Sequence, residues 1–117
     1  MIVRVLRFKV RNTRVGAFNT LFRAQVPLLK AQPGLVYVKL ARRLRPDGSE
    51  DVVLFEEWHD AASLYAWVGP DLMEPRLVDG ARELLDEVVV AHYEALDKGL
   101  DDPAVVLPAG LASAEDP

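Results

Sequence analysis

Hydrophobic and polar positions alternate from the first residues of the chain. Between Ile2 and Val10, Ile2, Leu6, Phe8 and Val10 share one face and Val3 and Val5 the other, which predicts a strand covered on both sides. Asn12 and Thr13 are candidate N-caps for a helix running to about Ala31, with Phe18, Leu21, Phe22, Val26, Leu28 and Leu29 as its buried stripe. Pro27 removes one backbone donor inside that helix, which predicts a kink, and Pro33-Gly34 ends it. Leu35 to Leu44 and Val52 to Trp58 read as strands joined through Pro46-Asp47-Gly48. In that turn proline presets φ and glycine takes the positive value, so the two strands form a hairpin. Asp60 caps a short helix, Ala61 to Val68, that buries Leu64, Trp67 and Val68 and stops at Gly69-Pro70. An irregular helical stretch broken at Pro75 and Gly80 follows. Val88 to Ala95 is then the fourth strand, with a helix continuing from Arg82 as the alternative.

The order β-α-β-β-α-β predicts an α+β, ferredoxin-like fold, with one four-stranded antiparallel sheet and both helices on one face. The first strand is apolar on its other face too. A sheet left exposed in that way is expected to meet a second copy, sheet to sheet, which predicts a homodimer. Residues 1–98 make one domain. Residues 99–117, rich in Pro, Ala, Gly and Asp, are expected to form a largely flexible acidic tail, with Ala104 to Leu107 either disordered with it or lying along a partner subunit.

Charge sharpens this division. The net charge of −4 belongs to the last 19 residues, which hold Asp101, Asp102, Glu115 and Asp116 and no base. Residues 1–98 carry 14 basic and 14 acidic side chains, and a neutral body of that kind argues against a nucleic-acid partner. Cysteine is absent, so disulfides, thiolate nucleophiles and thiolate metal sites are excluded together. No apolar run reaches the roughly 18 residues of a membrane span. The first ten residues mix charges into their apolar run without a cleavage site, so a cytoplasmic location is expected.

Two stretches, PGLVYVKLARR after the first helix and FEEWHDAASLYAW across the third strand and second helix, resemble the antibiotic biosynthesis monooxygenase family of small dimeric α+β barrels. The resemblance covers about residues 1–97. In the family pattern Trp58 closes the third strand, and Trp67, nine positions later, stands on the helix above a ligand pocket. Both could equally be core aromatics. The haem-degrading branch also uses an asparagine on the first strand, where this chain has Arg7, and a histidine where it reads EPRL, from Glu74 to Leu77. The branch acting on quinols and autoinducer-like dicarbonyls shows histidines at Trp67 and near Asp71, both missing here.

The resemblance therefore implies, first, a cofactor-independent monooxygenase or related small-molecule enzyme acting on an apolar aromatic substrate such as a quinol or anthrone. Second comes a non-catalytic dimeric binding or stress-related protein, and third, disfavoured, a haem-binding or haem-degrading enzyme. In the first reading an acidic substrate loses a proton and its enolate or phenolate reduces O₂ directly, so the protein supplies a dry cavity, a base and a partner for the oxyanion. No cofactor and no metal are expected. Arg7 is the candidate oxyanion partner, His92 or Tyr65 the base or bridging hydroxyl, and Trp67, Phe18 and Phe22 the walls. Each has a plainer alternative. Arg7 could pair with Glu56 or Glu57 across the sheet, His92 could be satisfied within the structure, and Tyr65 could face solvent. His59-Asp60 is set aside as a dyad, because neighbours at a strand-to-helix joint usually diverge and Asp60 is occupied as a cap. Glu56 and Glu57 face opposite sides of a strand and cannot act as a pair. Two histidines 33 residues apart without cysteine make no metal pattern, and the isolated glycines 16, 34 and 48 make no phosphate loop.

Overall fold

The computed structural model describes residues 1–96. The expected tail, including Ala104 to Leu107, lies outside the described residues. Strands β1 (Ile2–Val10), β2 (Leu35–Leu44), β3 (Glu50–Trp58) and β4 (Leu85–Glu94) form one antiparallel sheet in the order β2-β3-β1-β4. Helices α1 (Val15–Lys30) and α2 (Ala61–Val68) cover one face of it. This is the ferredoxin-like arrangement that the pattern predicts.

Parity along the strands decides what each face carries. Leu6, Phe8 and Val10 on β1 and Val52, Leu54 and Trp58 on β3 point toward the helices and are buried. Phe8 meets Phe18 and Phe22 of α1 at ring centroids 5.7 and 5.4 Å away, and these two rings lie 4.9 Å apart. Tilted and edge-on contacts of this kind add to the area the rings bury. On the other face Val3, Val5, Val53, Phe55, Val89 and Tyr93 form an apolar surface, with Phe55, Val89 and Tyr93 exposed.

Several local expectations change. Asn12 and Thr13 do not cap α1; they form a 3-10 turn (Asn12–Arg14), and the Asn12 amide donates to the Asp47 carbonyl at 3.1 Å, tying the helix entry to the hairpin tip. The helix continues through Pro27 to Lys30. Leu28 is 55% exposed and Gln25 takes the buried position instead, because Phe18, Phe22, Gln25 and Leu29 hold the four-three-four spacing of one stripe. Residues 69–81 form turns without a helix, and only the 3-10 turn Arg82–Leu84 precedes β4, so the alternative helix from Arg82 is not formed. The hairpin turn is as expected: Gly48 takes φ 86°, and the Asp47 carboxylate accepts from the Ser49 amide and hydroxyl. Gly34, at φ 86°, ends the first connection where α2 approaches most closely. A Cβ there would lie 2.3 Å from the Ser63 Cβ.

Candidate functional site

Trp67 reaches its place through α2. The Asp60 carboxylate accepts from the Ser63 amide at 2.8 Å, which caps the first turn. Bonds from the Ser63 amide, the Ser63 hydroxyl and His59 together hold the Asp60 pKa down to about 2. The pairing of His59 with Asp60, set aside from sequence, does form, at 3.2 Å and on the exposed surface, while the other carboxylate oxygen keeps the cap. One helical turn later Trp67 is turned inward, 9% exposed.

Beside Trp67 lies a cleft of about 490 Å³, bounded by Gln25 and Leu28 of α1, by Gln32 just beyond that helix, and by Arg76 to Asp79. Arg76 sits with its guanidinium carbon 5.0 Å from the indole centroid, and its backbone adopts φ 53°. A left-handed arginine persists only where its surroundings hold it. Here they do: the buried Gln25 side chain donates to the Arg76 carbonyl and accepts from the Val78 amide, each at 2.9 Å. None of the ion pairs among the described residues involves Arg76.

A second cluster lies under residues 72–74, with Arg4, Glu56 and Trp58 buried and His92 partly so. Arg4, 0% exposed, donates through Nη1 to the Leu72 carbonyl at 2.5 Å and to His92 Nε2 at 2.9 Å, and through Nη2 to the Glu74 carbonyl. Its Nε faces Glu56 Oε1 at 3.7 Å, and Trp58 Nε1 donates to that same oxygen at 3.0 Å. Burial lowers the Arg4 pKa, against the attraction of Glu56 and Glu74. Burial raises that of Glu56, against the Trp58 bond and Arg4. His92 is lowered by burial and then by the Arg4 charge.

The candidates read from sequence do not converge on one point. Arg7 lies on the face away from the helices, in a recess of about 390 Å³ with Lys9, Arg43 and Arg45. It pairs with neither Glu56 nor Glu57; Arg4, three residues earlier and on the opposite face, takes Glu56. Tyr65 is 47% exposed and lines none of these clefts. His92 faces the helix side, and it is engaged by Arg4. Phe18 and Phe22 line a separate cleft of about 590 Å³, between α1 and the Leu40–Arg42 part of β2, on a different flank of α1 from Trp67. Among the described residues no group of three His, Asp or Glu side chains is placed to hold a metal ion.

Arg4, Gln25 and Arg76 were not singled out from the sequence. Parity could have found Arg4, since it shares the inward face with Ile2, Leu6 and Phe8. Helical spacing could have found Gln25. No short-range signal marks Arg76.

Among the described residues no helix is long and apolar enough to cross a membrane. No protein of curated function matches the sequence. Among solved structures, an antibiotic biosynthesis monooxygenase is similar with a TM-score of 0.66 at 20% identity, covering 81% of this chain and 98% of that one. A protein from Mycobacterium tuberculosis gives 0.62 at 24% identity, over 89% and 98% of the two chains. SnoaB, a cofactor-independent oxygenase from Streptomyces nogalater, gives 0.58 at 23%, over 80% and 91%. At these identities the likeness is one of fold. The family profile of the antibiotic biosynthesis monooxygenases matches residues 1–74, from β1 through Trp67 to the edge of the Arg76 turn. Since that stretch is more than half of the sequence, the chain belongs to the antibiotic biosynthesis monooxygenase family.

Proposed function

We propose that the chain is a cofactor-independent monooxygenase acting on a planar apolar aromatic molecule with an ionisable hydroxyl or activated methylene, of the quinol or anthrone kind, bound in the Trp67 cleft. The observation that carries this reading is the Arg76 guanidinium, held over the indole by a strained backbone and outside the ion pairs among the described residues. A cation above an aromatic wall suits a ring whose oxygen has lost its proton. The guanidinium favours the oxyanion, and Asp79, on the same cleft, can pass the released proton to water. The electron-rich carbon then gives one electron to O₂, and the two radicals join as a peroxide. Loss of water leaves a carbonyl, so one oxygen atom stays on the product and the other leaves as water. The protein's part is to bind, orient and stabilise charge.

A non-catalytic binding role is favoured by one specific observation: Arg7, His92 and Tyr65 all lie off this cleft, so none of them serves as oxyanion partner or base within it. The two readings separate experimentally. Tryptophan emission is titrated with 1-naphthol, with an anthrone and with hemin, and O₂ uptake is followed with the anthrone. The oxygenase reading expects binding, uptake, and at least about a tenfold loss of kcat/KM in Arg76→Gln, the scale of about 1.4 kcal/mol of oxyanion stabilisation. Binding without uptake leaves the non-catalytic role. A response to hemin alone points to the haem branch, and emission unmoved by every ligand removes the cleft from consideration.

The same proposal includes the homodimer. Val3, Val5, Val53 and Phe55 form the centre of an apolar sheet face that a two-fold partner would cover.

A further inference from the structure

Residues 69–81, which connect α2 to β4 and carry Arg76, have no ladder of their own and are held by side chains at two points. Gln25 fastens residues 76–78 from α1. Arg4 fastens residues 72–74 from β1, with one guanidinium nitrogen on each carbonyl. Pro75, buried, lies between the two, and Arg76 follows it directly.

The third bond of Arg4 differs in kind. Arginine has donors and no acceptor, so His92 Nε2 accepts, which makes the imidazole neutral with its proton on Nδ1. A proton added to Nε2 would set a donor against a donor and a cation against a cation across 2.9 Å. Arg4 Nε is already buried without a hydrogen-bond partner.

We infer that Arg4 is a positioning residue for the Trp67 cleft and that His92 is its proton-operated catch: neutral His92 keeps Arg4 seated under residues 72–74, and protonated His92 unseats it, releasing the segment that presents Arg76. Only the functional meaning of this device rests on reading the Trp67 cleft as a ligand site. The charged groups that bear on His92 are Arg4 from β1, Glu56 from β3, Glu74 with its partner Arg82 ahead of β4, and Glu94 on β4 itself. Because burial and Arg4 hold the His92 pKa below its ordinary value, the segment is closed above about pH 6.5 and loosens as pH falls through the lower folded value. Glu56 is displaced upward, so its titration has to be separated from that of His92.

Hydrogen exchange of the ligand-free protein tests the inference, read at the Val78 amide, whose bond to Gln25 reports the segment. With intrinsic rates removed, protection is expected to fall between about pH 7.5 and about pH 5.5, by no more than the roughly tenfold per pH unit that one proton allows. His92→Gln keeps an acceptor that does not titrate, so it should hold wild-type protection at both values. His92→Phe has no acceptor and should be open at both. Arg4→Lys keeps the charge beside Glu56 but cannot reach two carbonyls and the imidazole together, so it should also be open throughout. Glu56→Gln should retain the wild-type pH dependence. Protection that does not change with pH in the wild type, or that changes equally in His92→Gln, overturns the inference; loss of the dependence in Glu56→Gln assigns it to the carboxylate and overturns it too. Naphthol affinity, measured alongside, should fall with protection. If protection responds while naphthol never binds, the catch stands and the substrate cleft falls.

Discussion

Gly34→Ala tests how tightly the α2 helix is set against the first connection. The added methyl group meets two separate penalties. At φ 86° an L side chain is strained by about 1–2 kcal/mol. The new Cβ would also fall 2.3 Å from the Ser63 Cβ and 2.1 Å from its Oγ. The hydroxyl can rotate away, but the Ser63 Cβ is fixed to a helix whose first turn is pinned by Asp60. The backbone must therefore move, at the roughly 1–3 kcal/mol typical of overpacking. The sum is about 2–5 kcal/mol, enough to lower Tm by many degrees yet within the stability of an ordinary domain. Urea denaturation at one fixed protein concentration measures it, since a dimer's midpoint moves with concentration. Ser63→Gly removes the clashing Cβ at a helix-propensity loss of about 1 kcal/mol. The double variant should recover the steric part as a coupling of about 1–3 kcal/mol. Strict additivity, or a single variant within about 0.5 kcal/mol of wild type, would refute the close approach of α2 to Gly34.

Arg4→Ala should destabilise by on the order of 3–5 kcal/mol in the same assay, because Glu56 is left buried without its cation and two carbonyls lose their donor; a change below about 1 kcal/mol would mean that the cluster relaxes freely. The Asp60 cap gives an acid-side prediction. Its folded pKa of about 2 lies below the ordinary carboxylate value, so its contribution is present above about pH 4 and lost as pH falls through 2. Asp60→Asn, which still caps, should show a smaller drop in Tm between neutral pH and pH 2.5 than wild type shows, and equal drops would exclude the cap as the source. Phe55→Asp, at the centre of the apolar sheet face, should turn a dimer into a monomer by light scattering; a wild type that is already monomeric removes the sheet-to-sheet proposal.

The fold was legible because period decides it. Alternation in β1 and β3, the Pro46-Asp47-Gly48 turn and the Asp60 cap each act over a few residues, and each took the expected form. The site was less so, for two different reasons. Arg4 and Gln25 occupy positions whose periodicity reads as core, and a polar residue there is a signal only if the stripe is read without regard to residue type. Laying the family pattern on the first strand moved attention to Arg7, which parity places on the other face, and filling the helix stripe with apolar residues alone included Leu28, which is exposed. Arg76 is different. Its place depends on a connection with no period, fixed by the one Gln25 side chain, 51 and 53 residues distant from its partners in sequence, and no local pattern encodes that. Pro27 behaves as the pattern expects of the helix's length: it loses one donor, and three further residues remain helical beyond it.

The left-handed backbone of Arg76 bears on how this protein could change over time. Replacing Arg76 by glycine would relieve about 1–2 kcal/mol of strain. It would also forfeit about 0.5–1 kcal/mol of stacking on Trp67 and add a similar entropy to the unfolded chain. These terms nearly cancel, so folding would place little constraint on the residue. Drift at this position would then be silent to every test of thermal stability, and a lineage freed from the need for the proposed reaction could discard its cation while keeping an unaltered fold. A descendant of that kind would be indistinguishable in shape from a working relative, and the difference would rest on a single side chain.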